Sequence, residues 1–424
     1  MRAEESLFSV EDSLDELERL AATAGVQTVG RDWQNLERIN PATYIGSGKV
    51  QEITAASSEL GADLIIFDDE LSPAQLRNLE RLTQIQLLDR TALILDIFAM
   101  HARTREGALQ VELAQYDYRL PRLTRQWTHL SRQAVGGVGL RGPGETQLEV
   151  DRREISRRMA RLRDELEEVR RQRGLKRRMR RRRGLPVVAI VGYTNAGKST
   201  LLNRLSGAEV LVEDKLFATL DPTTRRADMP GGKQVLFTDT VGFIQKLPTQ
   251  LVAAFRATLE EVHEADIILH VADAADPHVM LKIATVEDVL RDLGIRDKPM
   301  ILALNKIDLV DPEAELSVRS HGVALPEGAT LQDLIVGLLD RYDQVVPISA
   351  EQGVGIDELL GAVQQVLLDQ MIEVDTTLAY TEGDLLAIWR QQGAIEVEDY
   401  EPQGVHVKGR VPRWLAAVID TDEE

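Results

Sequence analysis

The feature that most constrains the fold is an apolar run that leads directly into a glycine-rich loop. Residues 187–191 are all apolar, as in a buried strand, and Gly192-Tyr-Thr-Asn-Ala-Gly-Lys-Ser199 follows. This is the spacing of a phosphate-binding loop between a strand and a helix, where backbone N–H groups favour phosphate oxygens. Lys198 is expected to reach the β- and γ-phosphates, and the Ser199 hydroxyl to bind Mg²⁺. A glycine-rich turn that binds nothing is the weaker alternative, because the whole motif occurs in strand–loop–helix order.

A second predicted strand leads into an acidic turn. Residues 235–238 predict a strand that ends in Asp239-Thr240-Val241-Gly242. Asp239 is placed to hold the hydration shell of Mg²⁺, and the Gly242 N–H to approach the γ-phosphate. Asp-x-x-Gly alone is a common turn, but downstream of a phosphate-loop lysine it indicates a nucleotide site.

The connection between these two motifs contains candidate switch threonines. Residues 217–225 read Phe-Ala-Thr-Leu-Asp-Pro-Thr-Thr-Arg. A switch threonine gives its hydroxyl to Mg²⁺ and its N–H to the γ-phosphate, which orders the loop only in the triphosphate state. The residues alone leave three candidates open: Thr219, Thr223 and Thr224. At least two of them are then ordinary turn or strand residues.

A third buried strand leads into a loop that selects the base. Residues 300–304 are apolar, and residues 305–308 read Asn-Lys-Ile-Asp. The Asp308 carboxylate accepts from guanine N1–H and the exocyclic amine, whereas adenine offers no matching pair of donors. A site built on such bonds rejects the wrong base, because its polar groups would stay unpaired. We expect the Lys306 stem to lie against the ring and Asn305 to tie this loop to the phosphate loop.

Two further positions bear on the chemistry. Residues 345–348 predict a strand before Ser349-Ala350, where a backbone N–H would meet the guanine carbonyl. Phe243 follows Gly242, where many GTPases carry the glutamine that orients the attacking water. An apolar side chain does not orient water, so either intrinsic hydrolysis is very slow or another group, including one from a partner, positions the water. We favour slow hydrolysis that accelerates on docking.

The charge of the chain is uneven, and its distribution indicates an RNA partner. The formal net charge is −19. Residues 119–184 carry 21 Lys and Arg against 8 Asp and Glu, a local excess of 13, which leaves −32 on the rest. Ten of the 14 residues from 170 to 183 are basic. Such a block neutralises phosphates with release of counterions, so an RNA backbone is favoured over a solvated linker.

Composition excludes several classes of protein. The 424 residues include no cysteine, which argues against a disulfide framework. No apolar run has the length of a membrane span, and the first residues show no signal-peptide pattern. We therefore expect a soluble, cytoplasmic protein without membrane insertion.

Apolar spacing divides the rest of the chain. Short helices and strands between residues 13 and 89 predict a small α/β unit. Two stripes with steps of three and four residues predict an antiparallel helical hairpin: Leu109, Leu113, Tyr116, Leu120 and Leu123, then Ile155, Met159, Leu162, Leu166 and Val169. Residues 135–145 form a glycine-rich break at the tip of this hairpin. A loop with so few side chains could enter a narrow RNA cavity, where RNA would be contacted by Arg141 and by the nearby Trp127, His129 and Arg132. Residues 377–410 predict a small β-α-β-β unit.

Together these motifs resemble the HflX family of ribosome-associated GTPases. The more specific matches are the segments 43–49, 90–98, 142–153, 192–199, 217–221 and 239–244. The resemblance extends from about Ala42 to Ala350, and the apolar Phe243 fits the family pattern. It implies a GTPase that binds the large ribosomal subunit and, with GTP bound, helps to separate or rescue stalled ribosomes under stress. It also implies that Thr219 is the switch threonine, that Ser199 is the other protein ligand of Mg²⁺, and that the glycine-rich tip faces ribosomal RNA of the peptidyl-transferase region.

We predict an α/β multidomain protein whose P-loop GTPase domain has a mixed, mostly parallel sheet with flanking helices. The expected limits are 1–90 for a small α/β domain, 91–184 for the antiparallel helical hairpin with its tip and Arg-rich linker, 185–372 for the GTPase domain and 373–424 for a small α+β domain. We expect a monomer that uses Mg²⁺ and GTP and binds the large ribosomal subunit and its RNA. Two alternatives stay open: a nucleotide-gated RNA- or ribosome-binding protein with incidental hydrolysis, and an RNA-dependent ATPase.

The predicted site residues divide by role. Catalysis is assigned to Lys198, Thr219 and Gly242. Mg²⁺ is assigned to Ser199 and Thr219, with Asp239 acting through a water. RNA contacts are assigned to Arg132, Arg141, Arg173, Lys176, Arg177, Arg178, Arg180 and Arg181. GTP contacts are assigned to Gly192, Tyr193, Thr194, Asn195, Ala196, Gly197, Lys198, Ser199, Thr200, Phe217, Ala218, Thr219, Leu220, Asp221, Asp239, Thr240, Val241, Gly242, Asn305, Lys306, Ile307, Asp308, Ser349 and Ala350.

Overall fold

Two compact units make up the described part of the chain. The computed structural model describes residues 8–123, 143–182, 185–207, 216–217, 219–230, 232–246, 261–295, 297–311 and 329–421. The first unit comprises Met1–Gly174, Glu213–Asp221 and Ile244–Ala257, and the second comprises Leu175–Val212, Pro222–Phe243 and Thr258–Glu424. The switch segment around Thr219 therefore belongs to the first unit, although in sequence it lies between two nucleotide motifs.

The N-terminal part of the first unit is a two-stranded parallel sheet with helices. Its elements, in chain order, are α1 (Val10–Thr23), α2 (Ser47–Leu60), β1 (Leu64–Phe67), α3 (Pro73–Thr83), β2 (Gln86–Asp89) and α4 (Arg90–His101). Capping boxes start two of the helices: Ser9 with Asp12 begins α1, and Ser72 with Gln75 begins α3. This confirms the predicted small α/β unit.

The helical arm follows, and as far as Gly174 it belongs to the same unit. It consists of α5 (Arg105–Arg119), a 3-10 turn (Leu120–Leu123) and α6 (Pro143–Arg182). The sequence predicts a glycine-rich break up to Glu145 and a basic linker over residues 170–183, and both differ from the structure. The helix α6 begins at Pro143, because proline suits the first turn of a helix. It continues through Arg182, because Arg, Lys, Leu and Met are all good helix formers.

Leucine side chains form the seam between the two arm helices. Leu109 of α5 is buried against Leu162 and Leu166 of α6. Two ion pairs flank the seam: Arg105–Glu165 and Arg158–Glu112. Later residues of one helix meet earlier residues of the other, so the pair is antiparallel, as predicted.

Asp89 joins the sheet of the first unit to the arm. Its carboxylate is fully buried, and it caps α4 by accepting from the Ala92 N–H at 2.9 Å. It also accepts from the Tyr118 hydroxyl of α5 at 2.7 Å and from the Leu71 N–H at 3.1 Å, and it pairs with Arg122. A buried carboxylate is tolerated only when it is paired and hydrogen-bonded. This network therefore fixes the C-terminal end of α5, and the turn after it, on the sheet.

The second unit is built on a six-stranded sheet. Its strands are β3 (Val187–Gly192), β4 (Thr223–Asp228), β5 (Gln234–Asp239), β6 (Ile267–Asp273), β7 (Met300–Asn305) and β8 (Gln344–Pro347). They pair in the order β4-β5-β3-β6-β7-β8, and only β4 runs antiparallel to its neighbour. Its named helices are α7 (Lys198–Ser206), α8 (Val279–Asp292), α9 (Leu331–Leu338) and α10 (Ile356–Asp369). The predicted mixed, mostly parallel sheet is confirmed, and the loops after its parallel strands share one edge, where ligands bind in such folds.

A small antiparallel sheet ends the second unit. Its elements are β9 (Ile372–Leu378), α11 (Gly383–Gln392), β10 (Ala394–Glu401), β11 (Gly404–Val411) and α12 (Arg413–Thr421). The predicted β-α-β-β pattern lacks α12, which starts after Pro412 and buries Leu415 and Ile419 against Trp389. Proline followed by apolar residues at helical spacing was the available signal. No helix among the described residues is both long enough and apolar enough to cross a membrane.

Candidate nucleotide site

The phosphate loop takes a shape that only its glycines allow. The strand β3 ends at Gly192, whose φ is +153°, and a Cβ there would overlap the Val271 carbonyl oxygen of β6. Gly197, with φ of +93°, starts α7, and a Cβ there would overlap the side chain of Asn305. Asn195 between them is also left-handed, a conformation that asparagine tolerates better than most residues. The loop is thus pinned between two other strands of the sheet.

Lys198 lies in the first turn of α7 and is only 7% exposed. Its Nζ donates to the Tyr193 carbonyl oxygen at 2.7 Å. Burial lowers the pKa of Lys198 to about 8, although the Asp239 carboxylate opposes that shift. A buried ammonium group is stable only beside an anion or strong acceptors. The position therefore suits a cation that binds an anionic ligand.

Ser199 and Asp239 meet at the end of the central strands. The Ser199 hydroxyl donates to Asp239 Oδ2 at 2.7 Å, and Asp239 is 1% exposed at the end of β5. Mg²⁺ takes hard oxygen ligands and keeps several of its waters. A hydroxyl next to a carboxylate, beside a phosphate loop, is a donor set that fits this ion, and its coordination by Ser199 and Asp239 stays a prediction.

The turn that follows β5 is joined to the phosphate loop by backbone bonds. The Thr194 N–H donates to the Phe243 carbonyl at 2.8 Å, and the Phe243 N–H donates to the Gly192 carbonyl at 3.1 Å. A Cβ on Gly242 would come within 2.8 Å of Thr194 Cγ2 and 3.1 Å of Lys198 Nζ. Gly242 is therefore required for this close approach. Phe243 is 4% exposed, so its ring is core and not a surface that holds water.

Asn305 ties the base-reading loop to the phosphate loop, as predicted. Its Nδ2 donates to the Ala196 carbonyl at 2.8 Å, and its Oδ1 accepts from the Ala350 N–H at 2.9 Å. The Ser349 N–H donates to the Val354 carbonyl. Both backbone N–H groups assigned to the guanine carbonyl thus have partners within the protein, and that contact stays a prediction.

Lys306 and Asp308 present the side chains expected of a base site. Lys306 is left-handed, with φ of +64°, and its Nζ pairs with Asp273 Oδ2 at 2.7 Å. Asp308 lies in the 3-10 turn Ile307–Leu309 and is exposed. Asp273, the partner of Lys306, is absent from the predicted site residues. Its position at the carboxyl end of β6, in register with Asn305 of β7, is the feature that could have identified it as a site residue.

The remaining residues of these motifs are held by the protein core. Thr240 is 1% exposed and its hydroxyl donates to the Ile190 carbonyl at 2.7 Å. Val241 and Ala196 are also buried. Any contact of these three residues with a nucleotide is therefore through the backbone. The Ile307 N–H donates to the Ile348 carbonyl, and Thr200 lies within α7.

The three candidate switch threonines separate in the structure. Thr223 and Thr224 belong to β4, and Thr224 Oγ1 is 3.0 Å from Thr238 Oγ1 of β5. Thr219 lies in the first unit, between the buried side chains of Phe217 and Leu220. Asp221 accepts hydrogen bonds from the first unit, and Ala218 is outside the described residues. Of the three candidates, Thr219 is thus the one that lies outside strand β4.

The residues assigned to RNA are only partly described. Arg132 and Arg141 lie outside the described residues. Five others lie on α6, where the backbone alone is described: Lys176, Arg177, Arg178, Arg180 and Arg181. Arg173 pairs with the buried Glu106 of α5 at 2.7 Å. That guanidinium helps to hold the arm together, and its RNA contact stays a prediction.

Comparison with known proteins places this geometry in context. Three family models match in succession: a GTP-binding GTPase N-terminal region over residues 11–99, a GTP-binding GTPase middle region over 101–180, and a 50S ribosome-binding GTPase over 187–306. The GTPase HflX of Lacrimispora saccharolytica is 49% identical over 407 residues, which cover 96% of this chain and 91% of the relative. The GTPase HflX of Escherichia coli is 43% identical over 406 residues, covering 95% and 90%. Among solved structures, a GTP-binding protein from Sulfolobus solfataricus in complex with GDP matches with 24% identity and a TM-score of 0.45, covering 84% of this chain and 96% of that one.

Proposed function

The chain belongs to the HflX family of GTPases, and we propose that it is a GTP-driven switch that binds the large ribosomal subunit and helps to separate or rescue stalled ribosomes. Its reaction is the hydrolysis of GTP to GDP and phosphate. The observation that carries the nucleotide part of the proposal is the pair of bonds by which Asn305 joins the phosphate loop to the base-reading loop. These bonds hold the two ends of a guanine nucleotide site at a fixed spacing, which suits a preorganised pocket.

Each loop has a separate task in this mechanism. Lys198 and the N–H groups at the start of α7 stabilise the negative charge that develops on the phosphates. Ser199 and Asp239 would hold Mg²⁺, and the bound ion would offset the negative charge of the phosphates. The exposed Asp308 carboxylate accepts from the guanine ring and so rejects adenine. Thr219 supplies the contact that distinguishes triphosphate from diphosphate.

Slow intrinsic hydrolysis follows from the buried position of Phe243. Its ring is in the core and its backbone is bonded to the phosphate loop, so it offers no polar atom beyond those bonds to orient a water. We propose that docking on the large subunit supplies or rearranges the groups that position the attacking water. The match of residues 187–306 to the family model of a 50S ribosome-binding GTPase supports this partner. A ribosomal partner also implies action in the cytoplasm.

Single-turnover hydrolysis tests this account. The protein is mixed with radiolabelled GTP alone, with separated small subunits and with separated large subunits. We expect a clear acceleration only with large subunits. A rate that stays negligible with every ribosomal particle would favour the alternative of a nucleotide-gated binding protein with incidental hydrolysis, and a high rate in isolation would contradict the partner.

Co-sedimentation tests the finer part of the proposal. Intact ribosomes are incubated with the protein and a GTP analogue, GDP or no nucleotide, and then separated on a gradient. We expect the analogue alone to retain the protein on large subunits and to increase free subunits at the expense of intact ribosomes. Retention without any change in intact ribosomes would remove ribosome splitting from the proposal and leave subunit binding.

A further inference from the structure

The segment that contains Thr219 is held at both ends within the first unit. On one side, Phe217 is 2% exposed and has a left-handed backbone with φ of +59°. Its ring meets the ring of Phe98 in α4 edge-on, with centroids 4.6 Å apart. A bulky residue takes this backbone conformation only where its surroundings enforce it. The Phe217 ring is therefore a specific anchor on α4.

On the other side, Asp221 is bound to the start of α5. Its Oδ2 accepts from the Arg103 N–H at 2.8 Å and from the Thr104 N–H at 2.7 Å. Its Oδ1 accepts from the Thr104 hydroxyl. Thr104 is the N-cap of α5 and itself accepts from the Gly107 N–H at 3.0 Å. A carboxylate at this end of a helix also interacts favourably with the helix dipole.

The absence of a side chain at Gly107 leaves the space that the Asp221 carboxylate occupies. A Cβ on Gly107 would lie well inside van der Waals contact with Asp221 Oδ1 and 3.3 Å from Thr104 Oγ1. Glycine is otherwise a poor residue for the first turn of a helix. The carboxylate of Asp221 occupies the space that a side chain at position 107 would need, so the two positions are matched to each other.

We propose that Asp221, with Thr104 and Gly107, positions Thr219 for the triphosphate. This rests on the proposed role of Thr219 as the ligand of Mg²⁺ and the γ-phosphate. Only three residues separate Phe217 from Asp221. Because both of these residues are anchored, the backbone around Thr219 has little conformational entropy left to lose when Thr219 binds the γ-phosphate. On this proposal, the start of α5 fixes the backbone beside Thr219.

Two variants break the same contact from opposite sides. Asp221→Asn removes the charge and one pair of acceptor sites, and Gly107→Ala leaves Asp221 intact but takes its space. We expect both to weaken binding of a non-hydrolysable GTP analogue by about threefold to tenfold, which lies within the range for loss of a helix cap, and to weaken GDP binding less than analogue binding. The matched control is Gly174→Ala, a helical glycine on α6 with open space at its Cβ, for which both affinities stay as in the wild type.

Amide hydrogen exchange provides a second measurement, and a purely structural role of Asp221 would not make the exchange rates depend on the bound nucleotide. We expect the Arg103 and Thr104 amides to exchange more slowly in the wild type with the analogue than with GDP, because a fixed Thr219 holds Asp221 in place. This difference is lost in Asp221→Asn and in Gly107→Ala. Equal exchange in the two nucleotide states of the wild type, or variants that bind the analogue as well as or better than the wild type does, would overturn the proposal.

A Thr219→Ala variant separates this proposal from the one on which it rests. If Thr219→Ala loses preference for the analogue while Asp221→Asn and Gly107→Ala keep it, the positioning role fails and the nucleotide switch stands. If Thr219→Ala keeps that preference, the switch assignment of Thr219 fails, and the positioning role fails with it. A wild type that binds neither nucleotide would contradict the GTPase site as a whole.

Discussion

The nucleotide loops of the second unit and the Thr219 segment of the first are held in different ways. The nucleotide loops bind one another, as Asn305 does when it contacts Ala196 and Ala350. The Thr219 segment is bound instead by Phe98 and Thr104, which lie far earlier in the chain. The contacts within the proposed nucleotide site are thus made between short motifs, whereas the contacts that hold the proposed switch segment depend on residues far away in the sequence.

The largest expected effect breaks the nucleotide loops themselves. Lys198→Ala removes a buried cation that is bonded to its own loop, and we expect about a 100-fold or greater loss of affinity for GDP and for a GTP analogue alike. Isothermal titration calorimetry measures both. Lys233→Ala is the matched control, because Lys233 also donates to a backbone carbonyl, that of Gly393, away from these loops. An analogue-only loss would assign Lys198 to the switch and not to the loops.

A smaller effect is expected from the tie between the loops. Asn305→Ala leaves the buried Ala196 carbonyl and Ala350 N–H without their partner, and we expect affinity for both nucleotides to fall about tenfold to 100-fold. Fluorescence titration with a labelled guanine nucleotide checks this, with Asn78→Ala as control because Asn78 donates to a carbonyl in the first unit. Unchanged affinity would show that the two loops keep their spacing without this side chain.

The pH dependence of binding sharpens the role of Lys198. Burial lowers its pKa to about 8 in the protein without nucleotide, and a bound phosphate stabilises the charged form. Below pH 8 the cation is already present, so affinity for GDP stays constant. Above pH 8 binding must take up a proton, so affinity falls by up to about tenfold per pH unit. A GDP affinity that stays flat from pH 7 to 9 would contradict the buried position of the ammonium group.

The smallest effect concerns the ion pairs of Lys246. Lys246 belongs to the first unit and pairs with Asp68 and Asp69, the latter at 2.7 Å. Lys246→Ala is expected to lower the free energy of unfolding by at most about 1 kcal/mol, because the ion pairs are partly exposed. Chemical denaturation measures it beside Lys49→Ala, whose lysine also pairs with two carboxylates. A much larger loss would show that this segment is as firmly anchored as the Thr219 segment.

The difference between contacts made by local motifs and contacts made only by the tertiary fold also decides which features the sequence could predict. The strands β3, β5 and β7 and the loops after them were predictable, because apolar runs and motif spacing are local signals. The tie made by Asn305 was predictable for the same reason. The antiparallel arm followed from the spacing of Leu109, Leu162 and Leu166.

The contacts of the switch segment left no such signal. Nothing in the spacing of Phe98, Thr104 or Gly107 indicates that Phe217 and Asp221 pack there, because the residues are joined only by the tertiary fold. The length of α6 was missed for another reason. The charge of its basic end predicts a linker, whereas arginine and lysine also favour the helix that the structure shows.

The most direct test of the guanine-nucleotide site is a competition titration of GTP, ATP and xanthosine triphosphate on the wild type and on Asp308→Asn. The account predicts that the wild type prefers GTP over the other two by about 100-fold or more. In Asp308→Asn the amide offers a donor to the ring where the carboxylate accepted, so the preference shifts from GTP towards the xanthine nucleotide. Equal binding of GTP and ATP by the wild type, or an unchanged preference in the variant, would contradict the account.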